Sequence, residues 1–183
     1  STRTYSITVT RAAATNTVVN LKLFIEGYYV GSGFMNSVKF NQDGFSNTTF
    51  VEDLTIELRH ATTLALIAST TATLKTDGTM VCSFSTSPAG SYYIVVKGRN
   101  MIETWSGTPQ TVGGVPATYD FSDSASKAYG SNMATVAPGV FACYSGDLNQ
   151  DGIVEFTDYT IWEADANEFA SGDHLTDLNG DGQ

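Results

Sequence analysis

Residues 147–158 read Asp-Leu-Asn-Gln-Asp-Gly-Ile-Val-Glu-Phe-Thr-Asp, which places oxygen-bearing side chains at alternate positions of a twelve-residue stretch. Hard divalent cations such as Ca2+ take six to eight oxygen ligands in a flexible shell, and this spacing supplies them. Asp147, Asn149 and Asp151 stand at positions one, three and five, and Gly152 at position six allows the sharp turn. Ile153 at seven would offer its main-chain carbonyl. Glu155 at nine would reach the ion directly or through water, and Asp158 at twelve would close the shell. A second copy starts 30 residues later as Asp-Leu-Asn-Gly-Asp-Gly-Gln, with Asp177, Asn179 and Asp181 as the matching ligands and Gln183 at position seven.

Paired D-x-N-x-D-G loops, the complete one closing on Asp rather than Glu, resemble a dockerin-type calcium module, the loop-helix relative of the EF-hand. The stretch Tyr-Ser-Gly-Asp-Leu-Asn-Gln-Asp-Gly, with Tyr-Tyr-Ile-Val-Val-Lys-Gly-Arg-Asn before it, is similar to the C-terminal regions of large secreted surface proteins of Bacteroidota. The likeness covers most of residues 17–183 and implies Ca2+ as cofactor and an extracellular or cell-surface location.

Charge agrees with a cation-binding segment. The net charge is -10, yet residues 1–146 hold nine acidic and nine basic side chains and cancel. Residues 147–183 carry the other ten acids and no Lys or Arg, and bound cations would relieve that self-repulsion. With no basic patch to neutralise phosphates, nucleic acid is excluded as a partner. No run of roughly 18 apolar residues occurs, so no membrane span is expected. The absence of an initiator Met and of a signal peptide suggests a piece of a longer secreted polypeptide. Cys82 and Cys143 are the only two cysteines; a single disulfide or two buried thiols would both suit them.

The elements that must hold the loops read as strands. In Thr17 to Glu26 the apolar residues Val19, Leu21, Leu23 and Ile25 recur every second position, the period of a half-buried strand. Leu54, Ile56 and Leu58 repeat the pattern, Ala65 to Leu74 follows, and Asp77-Gly78 predicts a hairpin into Met80 to Phe84. Ser91 to Lys97 is apolar on both faces, as a central strand would be, and Met101 to Trp105, Ala117 to Phe121 and Val140 to Tyr144 bring the total to roughly eight strands. The fold class is therefore mainly β: an immunoglobulin-like or prealbumin-like β-sandwich over 17–146, followed by a small calcium loop-helix segment over 147–183. A helix is expected over Phe156 to Ala166, with Trp162 packed inward. Residues 1–16 read as an orphan strand and linker. Tyr5, Ile7 and Val9 share one face of Thr4 to Thr10, a phrase that looks like the last strand of a cadherin-like repeat.

No zinc motif, nucleophile elbow or phosphate-binding glycine loop accompanies these features, so the chain is expected to be non-catalytic. The favoured expectation is a structural or adhesive module whose partners are neighbouring domains or copies of the same surface protein. Its N-terminal strand would complete a neighbour's sheet, and deleting residues 1–11 would then abolish assembly. The alternative is a carbohydrate-binding module of a secreted polysaccharide-degrading enzyme, with Tyr28, Tyr29, Trp105 and Tyr119 as stacking residues for glycans.

Overall fold

The computed structural model describes residues 16–85, 87 and 89–183, so the strand expected within residues 1–16 lies outside the described residues. Twelve strands and two α-helices follow in order. They are β1 (Thr17–Lys22), β2 (Tyr29–Gly31), β3 (Phe34–Met35), α1 (Val38–Asp43), β4 (Phe50–His60), β5 (Leu66–Lys75), β6 (Thr79–Phe84) and β7 (Gly90–Lys97). Then come β8 (Thr104–Trp105), β9 (Gln110–Val112), β10 (Ala117–Asp120), β11 (Ala134–Ala137), β12 (Val140–Ala142) and α2 (Phe156–Asn167). No helix among the described residues is long and apolar enough to cross a membrane.

Two sheets face each other across one core. The first runs β10-β1-β6, with β1 parallel to β10 and antiparallel to β6; the second runs β5-β4-β7-β8, with β9 also paired on β7. Alternation decides the facing. Val19 and Leu21 of β1, with Met80, Cys82 and Phe84 of β6, point inward to meet Leu54, Ile56 and Leu58 of β4 and Ile94 and Val96 of β7. Full burial of each such Leu or Ile contributes about 1.5–3 kcal/mol, which makes this interleaved layer the main source of stability. The mainly β sandwich predicted from periodicity is the fold observed.

The Asp77-Gly78 turn forms, with Thr79 donating N–H and Oγ1–H to Asp77 at 3.0 and 2.6 Å. It does not make the predicted hairpin, because β5 pairs with β4 and β6 with β1. The turn instead carries the chain from one sheet to the other. The hydrophobic alternation of both strands suits either arrangement; what separates them is which partner covers each edge.

Cys82 and Cys143 are both free and buried, so the structure holds two thiols rather than the disulfide that the cysteine count permitted. Cys82 sits opposite Val19 on β1, and Cys143 bridges Ile25, so each serves as a small apolar core residue. Burial pushes the thiols up to about 12 and about 11 respectively. Both are therefore expected to resist a thiol reagent near neutral pH in the folded protein, and two thiols per chain should titrate in denaturant. Finding none after denaturation without reductant would show a disulfide.

A short helix that the sequence reading did not anticipate lies between β3 and β4. Val38 anchors α1 in the core, Gly44 ends it in the left-handed conformation (φ 72), and Lys39 pairs with Asp53 of β4 at 2.5 Å. Six residues are too few to display a helical period. Their importance is that they form part of the seat for the C-terminal segment.

Candidate metal centre

Each D-x-N-x-D-G loop is folded around its first aspartate, and the two share one hydrogen-bond pattern. In the first loop Asp147 accepts N–H from Asp151 at 3.1 Å and from Gly152 at 3.0 Å; in the second, Asp177 accepts from Asp181 at 3.2 Å and Gly182 at 3.1 Å. Asn149 accepts from Asp151 N–H at 2.9 Å, as Asn179 does from Asp181 at 3.2 Å. Asp151 accepts from Ile153 N–H at 3.0 Å, as Asp181 does from Gln183 at 2.9 Å. The position-six glycines, Gly152 and Gly182, take φ of 88° and 81°, the sharp turn expected there. Position four is also left-handed in both copies, at Gln150 (φ 60) and Gly180 (φ 72), a constraint that the sequence reading had not assigned.

Asp158 closes the first loop from the start of α2. Its Oδ1 accepts Leu148 and Asn149 N–H at 2.7 and 3.1 Å, and its Oδ2 accepts Glu155 N–H at 2.9 Å. Glu155 caps the helix reciprocally, completing a capping box. Burial would raise the Asp158 carboxyl, but the converging N–H donors outweigh it and hold the group below its ordinary range. Asp147 behaves oppositely. It is only 1% exposed, and burial together with the charges of Asp158 and Asp151 raises it against the pull of its two N–H donors.

Among the described residues no three His, Cys, Asp or Glu side chains converge closely enough to hold a metal by themselves. A cation shell here would therefore need the Asn149 amide oxygen and the Ile153 carbonyl beside Asp147, Asp151, Glu155 and Asp158. That set would be all oxygen, which suits Ca2+, and the buried Asp147, pressed by the charges of Asp158 and Asp151, is what a cation would neutralise. When bound, the ion would supply fixed positive charge, cross-linking the loop start to the first turn of α2. Asp177, Asn179 and Asp181 take the matching positions of the second loop, where Gln42 of α1 also donates to Asp177 Oδ2 at 3.0 Å.

Both loops are built into the sandwich through the turn after β7. The Asn100 main-chain oxygen accepts Gly146 N–H at 2.7 Å, and Gln150 Nε2 donates to Arg99 O at 3.2 Å. On the other side, Asn100 Nδ2 reaches Leu175 O at 3.3 Å, Asp177 O at 3.2 Å and the Tyr28 hydroxyl at 3.0 Å. Arg99 pairs with Glu52 of β4 at 2.9 Å and also bonds Asp173, lending positive charge to a segment that has no Lys or Arg. Asn36 and Asn41 donate to Asn179 O and Gly180 O, both at 2.8 Å. Gly27 is required by closeness: a Cβ there would lie 2.0 Å from Leu178 O. None of these contacts was predicted; the one available signal was the Lys-Gly-Arg-Asn phrase that precedes the loops in the resemblance.

The α2 helix spans 156–167 nearly as expected, but its aromatic face points outward. Phe156, Tyr159 and Trp162 are 71%, 47% and 41% exposed and form a run along one side, so Trp162 is not the core residue anticipated. The sandwich contacts the loops rather than this face, and Asp158 is the buried residue of the helix.

Of the four aromatics expected to stack on a glycan, two are core. Tyr28 is fully buried against Asn100, and Tyr119 packs edge-on to Phe121 while donating to Lys127 O at 2.7 Å. Tyr29 is half-buried, its ring 5.1 Å from Phe24 and its hydroxyl accepting Gly33 N–H at 3.1 Å. Trp105 lines an open cleft.

No protein-family model matches the chain. No curated protein matches it either. Among solved structures, the chain is similar to one in the crystal structure of a type II cohesin-X-dockerin complex from Acetivibrio cellulolyticus, an N-terminal interface mutant. The TM-score is 0.48 at 16% identity, over 91% of this chain and 86% of that one.

Proposed function

We propose that this chain is a calcium-stabilised, non-catalytic structural or adhesive module of a large extracellular surface protein. The observation that carries the reading is the duplication of one loop geometry around Asp147 and Asp177, with both loops seated on the same turn of the sandwich. A segment of ten acids and no Lys or Arg is held there by side chains of the sandwich, and cations would remove its remaining repulsion. Calcium at about 100 times its Kd would add about 2.7 kcal/mol to the folded state. Such a gain suits a module exposed to proteases and pulling outside the cell, where calcium is abundant.

Limited proteolysis tests this reading. With calcium the chain is expected to stay intact, and with chelator cleavage should begin within 147–183 while the sandwich persists. Equal cleavage rates in both conditions would contradict it.

A further inference from the structure

The five-stranded sheet carries a second concave feature, remote from the role assigned to the loops. A cleft of about 420 Å³ is lined by Ala61, Thr62, Leu64, Tyr93, Trp105 and Tyr129. A recess of about 140 Å³ shares Trp105 and Tyr129 and adds the polar groups of Glu103, Thr104 and Asn132. The Tyr93 ring stands 5.8 Å from Trp105 at 60° and 6.3 Å from Tyr129 at 83°, so three aromatic rings in different orientations wall one opening.

The walls are pre-set. Trp105 Nε1 donates to Glu103 at 2.5 Å, and the Arg59 guanidinium lies 5.5 Å from the indole, which fixes the ring before any ligand arrives. Tyr129 is 65% exposed on a turn that includes Ser131 at φ 56°, and Leu64, which also lines the cleft, has φ 58°. Left-handed backbone at residues other than glycine is costly and clusters at ligand clamps. Leu64 carries it in the cleft wall itself.

The nearby charges cancel one another. Glu57 pairs with Arg59 at 2.7 Å and Lys97 at 3.1 Å, and Lys97 pairs with Glu103 at 2.9 Å. Two cations and two carboxylates thus close a neutral network, leaving neither sign to attract an ionic ligand. What the cleft offers is apolar ring faces bordered by the Glu103 carboxylate and the Asn132 amide. A sugar ring is the complement of that surface, with C–H groups on its faces and hydroxyls around its edge. From this we infer that the cleft binds an uncharged pyranose unit of a polysaccharide, seated against Trp105 and Tyr129. The site differs from the aromatic set read from sequence, sharing with it only Trp105.

Native affinity electrophoresis of the full chain in calcium tests the assignment, with gels containing either neutral polysaccharides (xyloglucan, mixed-linkage β-glucan, galactomannan) or anionic polygalacturonate. Retardation is expected in at least one neutral gel and not in polygalacturonate. Tyr129→Ala, a change at an exposed side chain, should weaken binding at least about tenfold, the loss of about 1.4 kcal/mol. Phe156→Ala, on the exposed face of α2, should leave it unchanged. In a Trp162→Phe background the emission of Trp105 should shift when the same polysaccharide is added. The assignment is overturned by no retardation in any neutral gel, by preference for polygalacturonate, by unchanged binding in Tyr129→Ala, or by loss of binding in Phe156→Ala.

Discussion

Replacing Asn100 by Ala is expected to cost about 2–4 kcal/mol and to release residues 147–183 from the sandwich. The side chain is 2% exposed and spans three partners, the Tyr28 hydroxyl and the carbonyls of Leu175 and Asp177. Ala would leave all three without that donor in a place water reaches poorly, and an unsatisfied buried polar group costs about 1–3 kcal/mol. Tyr28→Phe is the control. It removes only the hydroxyl and keeps the amide bonds to the loop, so its cost should stay near about 1 kcal/mol. Urea denaturation of both variants measures the difference, which reports the bonds that hold the second loop. Equal costs for the two would mean that Asn100 serves Tyr28 alone.

Asp147→Asn has the second large effect, and its size depends on calcium. Asn removes a buried charge that faces Asp151 and Asp158, but it keeps only one acceptor oxygen and turns its NH2 group toward the N–H of Asp151 or Gly152, which bond separate oxygens of Asp147. In chelator the relief of charge and the lost acceptor oppose each other, so the variant should melt close to the temperature of the parent chain. In calcium the parent should rise while the variant does not, because a hard cation bound by fewer carboxylates is held far less tightly. Stabilisation of about 2.7 kcal/mol corresponds to a rise of about 5–10 °C for a chain of this size. Thermal melts of both proteins in both conditions give the four values needed. A variant that keeps the full calcium-dependent rise would remove Asp147 from the ligand set.

The loops were legible in the sequence because their chemistry is local: Asp147, Gly152 and Asp158 are fixed by spacing within twelve residues. The strands were legible for a similar reason, since alternation at Val19 and Leu21 or at Leu54, Ile56 and Leu58 needs no partner to be seen. What sequence could not show is pairing. The Asp77-Gly78 turn looked like a hairpin, yet the two strands it joins belong to opposite sheets. Tyr28 reads in sequence as a stacking residue for glycans, yet it is fully buried and bonds Asn100, 72 positions away. Gln42, Asn36 and Asn41 lie more than 130 positions from the loop they hold, and no periodicity marks them. Tyr93 and Tyr129 join Trp105 only after β7, β8 and the turn at 129–131 are assembled.

Calcium titration by calorimetry on the chelator-stripped chain, followed by a thermal melt at each end, tests the central claim most directly. The account predicts heat that saturates at one equivalent or more, a melting temperature raised by calcium, and loss of first-loop binding in Asp147→Asn. No binding heat and identical melts with calcium and with chelator would contradict it, leaving residues 147–183 as an acidic segment held by hydrogen bonds and the Arg99–Asp173 ion pair.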